Sequence, residues 1–299
     1  PFQLGIMHAE WFAGVAKFDF LGIARPLNPL SDGRKRAFGI SIVRFGIDQI
    51  PYTLNLVDKD GSINYDQVTE FSAADYALTL SYAQQLRNPN ISIGGNLKVI
   101  RRTIGSFASA WGVGADLGIQ YKKGKWRFAA VGRDITTTYN AWTATLTDEE
   151  KAVFASTGNV IPKSSVEITK PTFVLATAYV TPLSTKLDLT VETDLNFTTD
   201  GQRNVLISSK SVNIDPRFGL ELGYQKLAWL RAGVGNFQQF KSETDPTKKE
   251  WTMQPNIGIG LKLGRLNVDY ALTNIGRVSQ ILYSHIFSLK LDLKQRADN

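Results

Sequence analysis

Two histidines, His8 and His285, are the only imidazoles in 299 residues, and cysteine is absent. Thiolate nucleophiles, disulfides and cysteine metal sites are therefore excluded, and a histidine-rich metal centre lacks ligands. His285 stands on the apolar face of the last alternating segment, with no serine that the sequence places beside it, so a hydrolase dyad there lacks its nucleophile. "DKDG" (Asp58–Gly61), with Asp66 beyond, misses the ligand spacing of a calcium loop and reads as an exposed acidic turn. "GVGAD" (Gly112–Asp116) begins like a dinucleotide fingerprint. Leu117 occupies the third glycine position, however, and the stretch alternates like a strand, so its glycines read as bend points in a curved wall. "TDEEKAVFASTG" (Thr147–Gly158) predicts a short helix, with Thr147 as N-cap and Glu150 completing a capping box. It would be a partner surface, a lid or simply loop filling. No catalytic, cofactor-binding or metal-binding set emerges.

The remaining ionisable residues are arranged by period. From Lys186 to Phe197 a charged or polar residue occupies every second position, opposite Leu187, Leu189, Val191, Thr193, Leu195 and Phe197. The same alternation recurs in 74–86, 111–122, 217–225, 266–273 and 284–293. A period of two means strands whose faces differ. Fourteen strands are expected, at about 2–9, 12–25, 35–46, 73–87, 90–102, 109–122, 125–134, 169–182, 185–197, 214–226, 228–240, 251–264, 265–273 and 283–294. Several are longer than the usual strand of a globular sheet and suit a membrane crossing.

No apolar run is long enough for a transmembrane helix. A barrel needs none, because its strands are apolar on one face only. From the third strand onward, long links (47–72, 135–168, 198–213, 241–250) alternate with tight ones at Asn88-Pro89, Lys122–Lys125, Pro182–Ser184, Gln225–Leu227 and Gly264. The link at 103–108 is moderate, the first link is short, and the second, Pro26–Arg34, is longish. Outer-membrane barrels have long loops outside and short turns in the periplasm. Trp111, Trp251 and Tyr283 fall at strand ends beside long links, and Tyr121, Trp126, Tyr224 and Trp229 beside tight ones, as two aromatic girdles would. The expected fold is all-β: one domain over 1–299, a transmembrane antiparallel up-and-down barrel of about fourteen strands with both termini periplasmic. Its apolar faces would meet lipid. Asp116, Lys186, Asp188, Glu192, Asp194, Arg217, Glu221 and Asp269 would line the lumen, Glu192 and Asp194 on one strand and Arg217 and Glu221 on the next, either paired across the strands or lining a substrate path. Net charge is +7, but no basic run is interleaved with stacking aromatics, so nucleic acid is not an expected partner.

The chain resembles FadL-type barrels, and more closely the PorV/PorQ group of the type IX secretion system of Bacteroidota. The resemblance rests on "GGNLKVI" (94–100), "SAWGVGADLGIQYKKGKWRFAAVGRDI" (109–135), "VDYALTNIG" (268–276) and "SHIFSLKL" (284–291). It departs from that group in lacking a Gly/Ala-rich segment before the first strand, so a plug is not assessable. It also continues past the last strand as "KQRADN" (294–299) rather than ending on an aromatic. The resemblance implies a non-enzymatic bacterial outer-membrane protein without cofactor. Its partners would be outer-membrane lipid, a large translocon barrel, and secreted proteins with a C-terminal sorting domain, met through loops 47–72 and 135–168. A FadL-like transporter of hydrophobic small molecules is the alternative, favoured by kinks or gaps in the wall, for which Gly46–Thr53 is one candidate. A diffusion porin is the second alternative.

Overall fold

The computed structural model describes residues 2–58, 60–158, 160–242, 247–273 and 283–293. In chain order the strand segments are β1 (Phe2–Trp11), β2 (Ala16–Leu27), β3 (Arg36–Tyr52), β4 (Thr69–Gln85), β5 (Ile91–Ile104), β6 (Ala108–Lys123), β7 (Trp126–Arg133), β8 (Thr138–Ala144), β9 (Ser165–Thr169), β10 (Thr172–Pro182), β11 (Leu187–Thr198), β12 (Asn213–Tyr224), β13 (Ala228–Lys241), β14 (Lys249–Leu263), β15 (Leu266–Thr273) and β16 (Ser284–Leu293). Helix α1 (Asp148–Ser156) lies between β8 and β9.

Hydrogen-bonded neighbours follow the chain from β1 to β7, step to β10, continue to β16 and return to β1. β8 pairs with β6, as β7 does, and β9 pairs with β8. β7 with β8, and β9 with β10, are thus halves of single staves. The described residues form a closed antiparallel ring of fourteen staves.

Alternation fits this ring to a hydrocarbon surround rather than to water. Among the described residues the buried apolar side chains are only Ala9, Ala16, Ala74, Ala110, Leu146 and Pro216. Leu, Ile, Val and Phe instead crowd the outer face, as at Val113, Leu117, Ile119, Leu220, Leu222, Leu230 and Ile259. A soluble domain must bury such residues, whereas a barrel turns them to hydrocarbon. Closure satisfies the backbone groups that lipid cannot.

Tight links close hairpins on one rim. Gly124-Lys125 joins Lys123 to Trp126, and Gly264-Arg265 joins Leu263 to Leu266. The two glycines have φ +58° and +64°, the left-handed backbone that a two-residue hairpin needs at its first central position. The opposite rim carries the long links, which are shorter than the sequence suggests. β3 runs on to Tyr52 and β4 starts at Thr69, leaving 53–68 rather than 47–72. The expected loop 135–168 contains β8, α1 and β9, and the moderate link shrinks to 105–107. The cause is that β3, β4 and β6, at 17, 17 and 16 residues, rise beyond what a bilayer requires. The link at 274–282 and the tail 294–299 lie outside the described residues.

Placing a charge on the outer face tests this arrangement. Leu220→Arg is expected to destabilise the barrel by roughly 2–4 kcal/mol if near mid-bilayer. The lumen-facing Thr190→Arg, beside Glu192, should change stability by less than about 1 kcal/mol. Urea unfolding in lipid vesicles, followed by tryptophan fluorescence, measures both.

Candidate functional site

The inner face carries charges in compact clusters. On β5 and β6, Lys98 Nζ donates to Asp116 at 2.7 Å and to Asp134 at 2.6 Å. Asn96 donates to the same Asp116 carboxylate. Nearer the long-loop rim, Arg102 joins Asp75 (2.8 Å) to Glu167 (2.8 Å), and the Trp142 indole N–H donates to Glu167. That cluster ties the β8–β9 hairpin to the β4–β5 wall. Across the barrel, Arg231 bridges Glu221 (2.7 Å) and Asp269 (2.6 Å). A cavity of about 540 Å³ lies against this wall, lined by Glu192, Asp194, Arg217, Glu221, Arg231 and Asp269 among others.

The charged residues expected in the lumen therefore lie on one face, with two corrections. Lys186 falls in the turn before β11, because the Ser184 hydroxyl accepts from the backbone N–H groups of Lys186 and Leu187 and holds them in the turn. Arg217 does not pair with Asp194, although the two are Cα partners across β11 and β12. Its stem lies over Gly235 on the next strand, and its guanidinium reaches Asp215 at 3.3 Å. Asp188, Glu192 and Asp194 enter no salt bridge among the described residues. Lys98, Asp134, Arg102 and Arg231 were not picked out from sequence. Lys98 and Arg231 were legible there, since each stands between two outward apolar residues (Leu97 and Val99; Leu230 and Ala232).

The aromatic expectations divide similarly. Trp111, Tyr121, Trp126, Tyr224 and Trp251 share the outer face with the apolar residues, and Tyr283 is exposed just before β16. Arg101 stacks over Trp111 at 5.0 Å. Trp229 is a correction: it lies opposite Gly223, on the face of Glu221 and Arg231, with the Arg231 guanidinium 6.0 Å from its ring. The missing side chain at Gly223 leaves the room it occupies. His285 does lie on the outer face, 2.9 Å from the Tyr270 hydroxyl.

Between these two charged walls, β1 to β3 turn apolar side chains inward. Met7 pairs with Phe20 and Phe20 with Val43, while Ala9 pairs with Phe18 and Phe18 with Phe45. Phe20 lies flat over Gly22 and Gly5, where a Cβ on Gly22 would sit 2.5 Å from its ring. The lumen thus carries an apolar lane between two charged walls. Sequence reasoning missed this lane because "AKFDFLG" (16–22) alternates apolar residues with an outward Asp19 and Leu21, so both faces look mixed.

The wall itself is irregular at three places, one of them the slip of β13 against β14 between Gly235 and Gln238, where Asn236 has φ +53°. In β3 the register slips between Ile47 and Ile50, with Gln49 at φ +59°, inside the Gly46–Thr53 interruption expected from sequence. The largest break separates β7 from β8. The chain advances seven residues from Gly132 to Tyr139 while β6 advances four, from Leu117 to Val113. Three surplus residues are therefore packed into the wall. Asp134 and Thr137 adopt left-handed backbone (φ +52° and +60°). Ala115 on β6 keeps both backbone bonds, its carbonyl accepting from Ile135 N–H and its N–H donating to Thr136 Oγ1. Asp134 is clamped by Lys98, by the Thr138 hydroxyl (2.6 Å), and by its own N–H donating to Asp116. Beside the break, on the outer face, a groove of about 600 Å³ has Gly95, Ala130 and Gly132 as floor and Ile93, Leu117, Ile119, Phe173 and Leu175 as walls.

The expected helix is present. Thr147 caps it and Glu150 closes the capping box. The Tyr52 hydroxyl lies 3.2 Å from Glu150, and Tyr52 stacks on Phe107, anchoring α1 to the β3 rim. At "DKDG" the carboxylates serve the loop itself: Asp60 accepts from Ser62, and Asp58 from Asn64 and Gln67.

No family model matches the sequence, and no curated protein matches it. Solved structures do. The toluene transporter TodX of Pseudomonas putida superposes with TM-score 0.56 at 11% identity, covering 99% of this chain and 90% of that one. The toluene transporter TbuX of Ralstonia pickettii gives 0.53 at 12%, covering 98% and 89%. The CymD monoaromatic hydrocarbon channel gives 0.53 at 12%, covering 99% and 88%. The fold is that of the FadL-type barrels. At such identities the likeness is one of architecture alone.

Two substitutions probe the break. Gly114 faces Thr138, and a Cβ there would lie 2.0 Å from its Oγ1. Gly114→Val is expected to displace Thr138 and cost about 1–3 kcal/mol. Gly118→Ala, whose added Cβ would be 3.6 Å from Val131, should be tolerated. Lys98→Met strands two carboxylates in the wall and should cost about 3–5 kcal/mol. A double variant with Asp116→Asn should recover part of that loss in the same unfolding assay. At α1, the Lys151 ammonium holds the Asp148 carboxyl below its usual range. The pair therefore supports the helix at neutral pH. That support should fade as pH falls through the lowered value, seen as lower protection factors, corrected for intrinsic exchange at each pH, for the amides of 149–156.

Proposed function

We propose that this barrel is a non-enzymatic outer-membrane channel for small hydrophobic molecules, with its long links outside the cell and its tight turns and chain ends in the periplasm. The observation that carries this reading is the apolar lane of Met7, Phe18, Phe20, Val43 and Phe45 inside a barrel that otherwise presents charge. A water-filled diffusion porin gains nothing from inward phenylalanines, which expose apolar surface to water at a cost. A hydrophobic permeant gains a continuous surface to slide on. The broken stave at 133–138, with an apolar groove beside it on the lipid face, supports the same reading, because a defect in the wall is of use to a molecule that partitions into lipid. The architectural likeness to monoaromatic transporters agrees with it.

A second reading is a component of type IX secretion that receives translocon or cargo proteins on the long-loop rim. What supports it is the structured platform there, in which the β8–β9 hairpin is tied down by Arg102–Glu167 and α1 by Tyr52–Glu150.

Uptake separates the two. Cells or vesicles bearing the barrel should admit a small aromatic hydrocarbon faster than those without it. Phe18→Asp with Phe45→Asp should lower that rate about tenfold or more, since burying an unpaired charge along the lane costs a permeant several kcal/mol. Unchanged uptake, together with mild-detergent co-purification of a large translocon barrel or proteins sharing a C-terminal domain, would overturn the channel in favour of secretion.

A further inference from the structure

The chain's positive charge is concentrated at one end of the molecule. Each of the six links on the tight-turn rim carries a cation: Arg34 and Lys35, Arg87, Lys125, Lys186, Lys226 and Arg265. Lys122, Lys123 and Lys262 extend the ring onto the adjoining strand ends, and all three are exposed. The six links hold a single acidic residue, Asp32, which is already engaged by Arg34 at 2.7 Å. The opposite rim differs in kind. Its described links set Asp58, Asp60, Asp66, Asp148, Glu149, Glu150 and Asp200 against Lys151, Lys163, Lys170, Arg203, Lys210 and Lys248, so charge there nearly cancels.

From this we infer that the tight-turn rim is a binding surface for anionic phospholipid headgroups of the leaflet it contacts. Three observations favour lipid over an acidic protein. The cations recur at every turn of a closed ring, so they surround the barrel, whereas a docked protein would need them on one sector. They lie at the level of outward aromatic residues Tyr121, Trp126 and Tyr224, which mark a lipid–water boundary. Lys125 reaches outward along that boundary, with its ammonium 5.8 Å from the ring of Tyr179 and 2.8 Å from the Thr181 hydroxyl. A long side chain that lies along apolar surface and ends in a charge is suited to a phosphate at the headgroup level. The partner is therefore the phosphodiester of a lipid carrying net negative charge, such as phosphatidylglycerol. The inference needs the barrel to sit in a membrane but does not depend on what passes through it.

Native mass spectrometry of the full chain in neutral detergent, with equimolar phosphatidylglycerol and phosphatidylethanolamine, tests it. The barrel should retain phosphatidylglycerol in preference. Lys123→Gln, Lys125→Gln and Lys186→Gln together span two neighbouring turns, and each lost cation should lower the preference roughly two- to fivefold. Lys151→Gln with Lys163→Gln, on the other rim, should leave it unchanged. Raising salt on the unsubstituted protein should erode the preference too, which keeps the test valid if the triple variant folds poorly. Equal retention of the two lipids, a preference indifferent to both salt and the triple substitution, or capture of an acidic protein through these turns without lipid preference would each overturn the inference.

Discussion

In a solvent that offers no hydrogen bonds, every backbone N–H and C=O must find its partner within the protein. For this chain the requirement is met by one pairing above all, that of β1 with β16, in which Phe2 to Glu10 run against Leu293 to His285. Without it the sheet would be a curved ribbon with two open edges in hydrocarbon. With it, no stave is an edge, and the sequence is free to spend its side chains on two surfaces of opposite character. The absence of an apolar core follows from the same constraint: the ring is held by its ladder and by lipid, so inner residues need only avoid leaving charges unmatched.

That freedom shows in the lumen. Where charges face inward they mostly gather around a shared arginine or lysine, as at Lys98, Arg102 and Arg231, because a lone charge near a low-dielectric wall is costly. Where they are absent, on β1 to β3, phenylalanines take their place. The break between β7 and β8 follows the same logic locally. Three extra residues would orphan backbone groups on β6, yet Ile135 and Thr136 supply Ala115 with both partners, and Lys98 neutralises the two carboxylates the detour brings together. The wall is deformed there without being left unsatisfied.

Much of this was readable in the sequence, for a physical reason. Period-two alternation is a local signal, so β6, β11 and β15 could be located and faced correctly from Trp111, Val191 or Tyr270 and their neighbours. The capping box at Thr147 and Glu150 was equally legible, since all its atoms lie within four residues. What escaped depended on partners distant in sequence. "RDITTTYN" (133–140) contains neither glycine nor proline and loses its alternation, so the stave seems to stop. Only pairing with β6 shows that it resumes at Thr138. Arg217 reaches Asp215 rather than a carboxylate across the strands, and Gly235, which makes room for its stem, is on another strand. Trp229 was placed by its nearness to a turn, whereas the parity set by Leu230 and Arg231 decides its face.

The uneven distribution of charge between the two rims has a consequence for how long the molecule keeps its orientation. To turn over in a bilayer, the barrel would have to draw six cationic turns through hydrocarbon in one direction, or the long links, which carry charges of both signs, in the other. Each ionised group carries a penalty of a few kcal/mol or more at mid-depth, and the penalties come together because the ring is rigid. Orientation is therefore decided once, during insertion, by which rim crosses first. After that it is a kinetic property of the protein, fixed for its lifetime irrespective of which orientation has the lower energy.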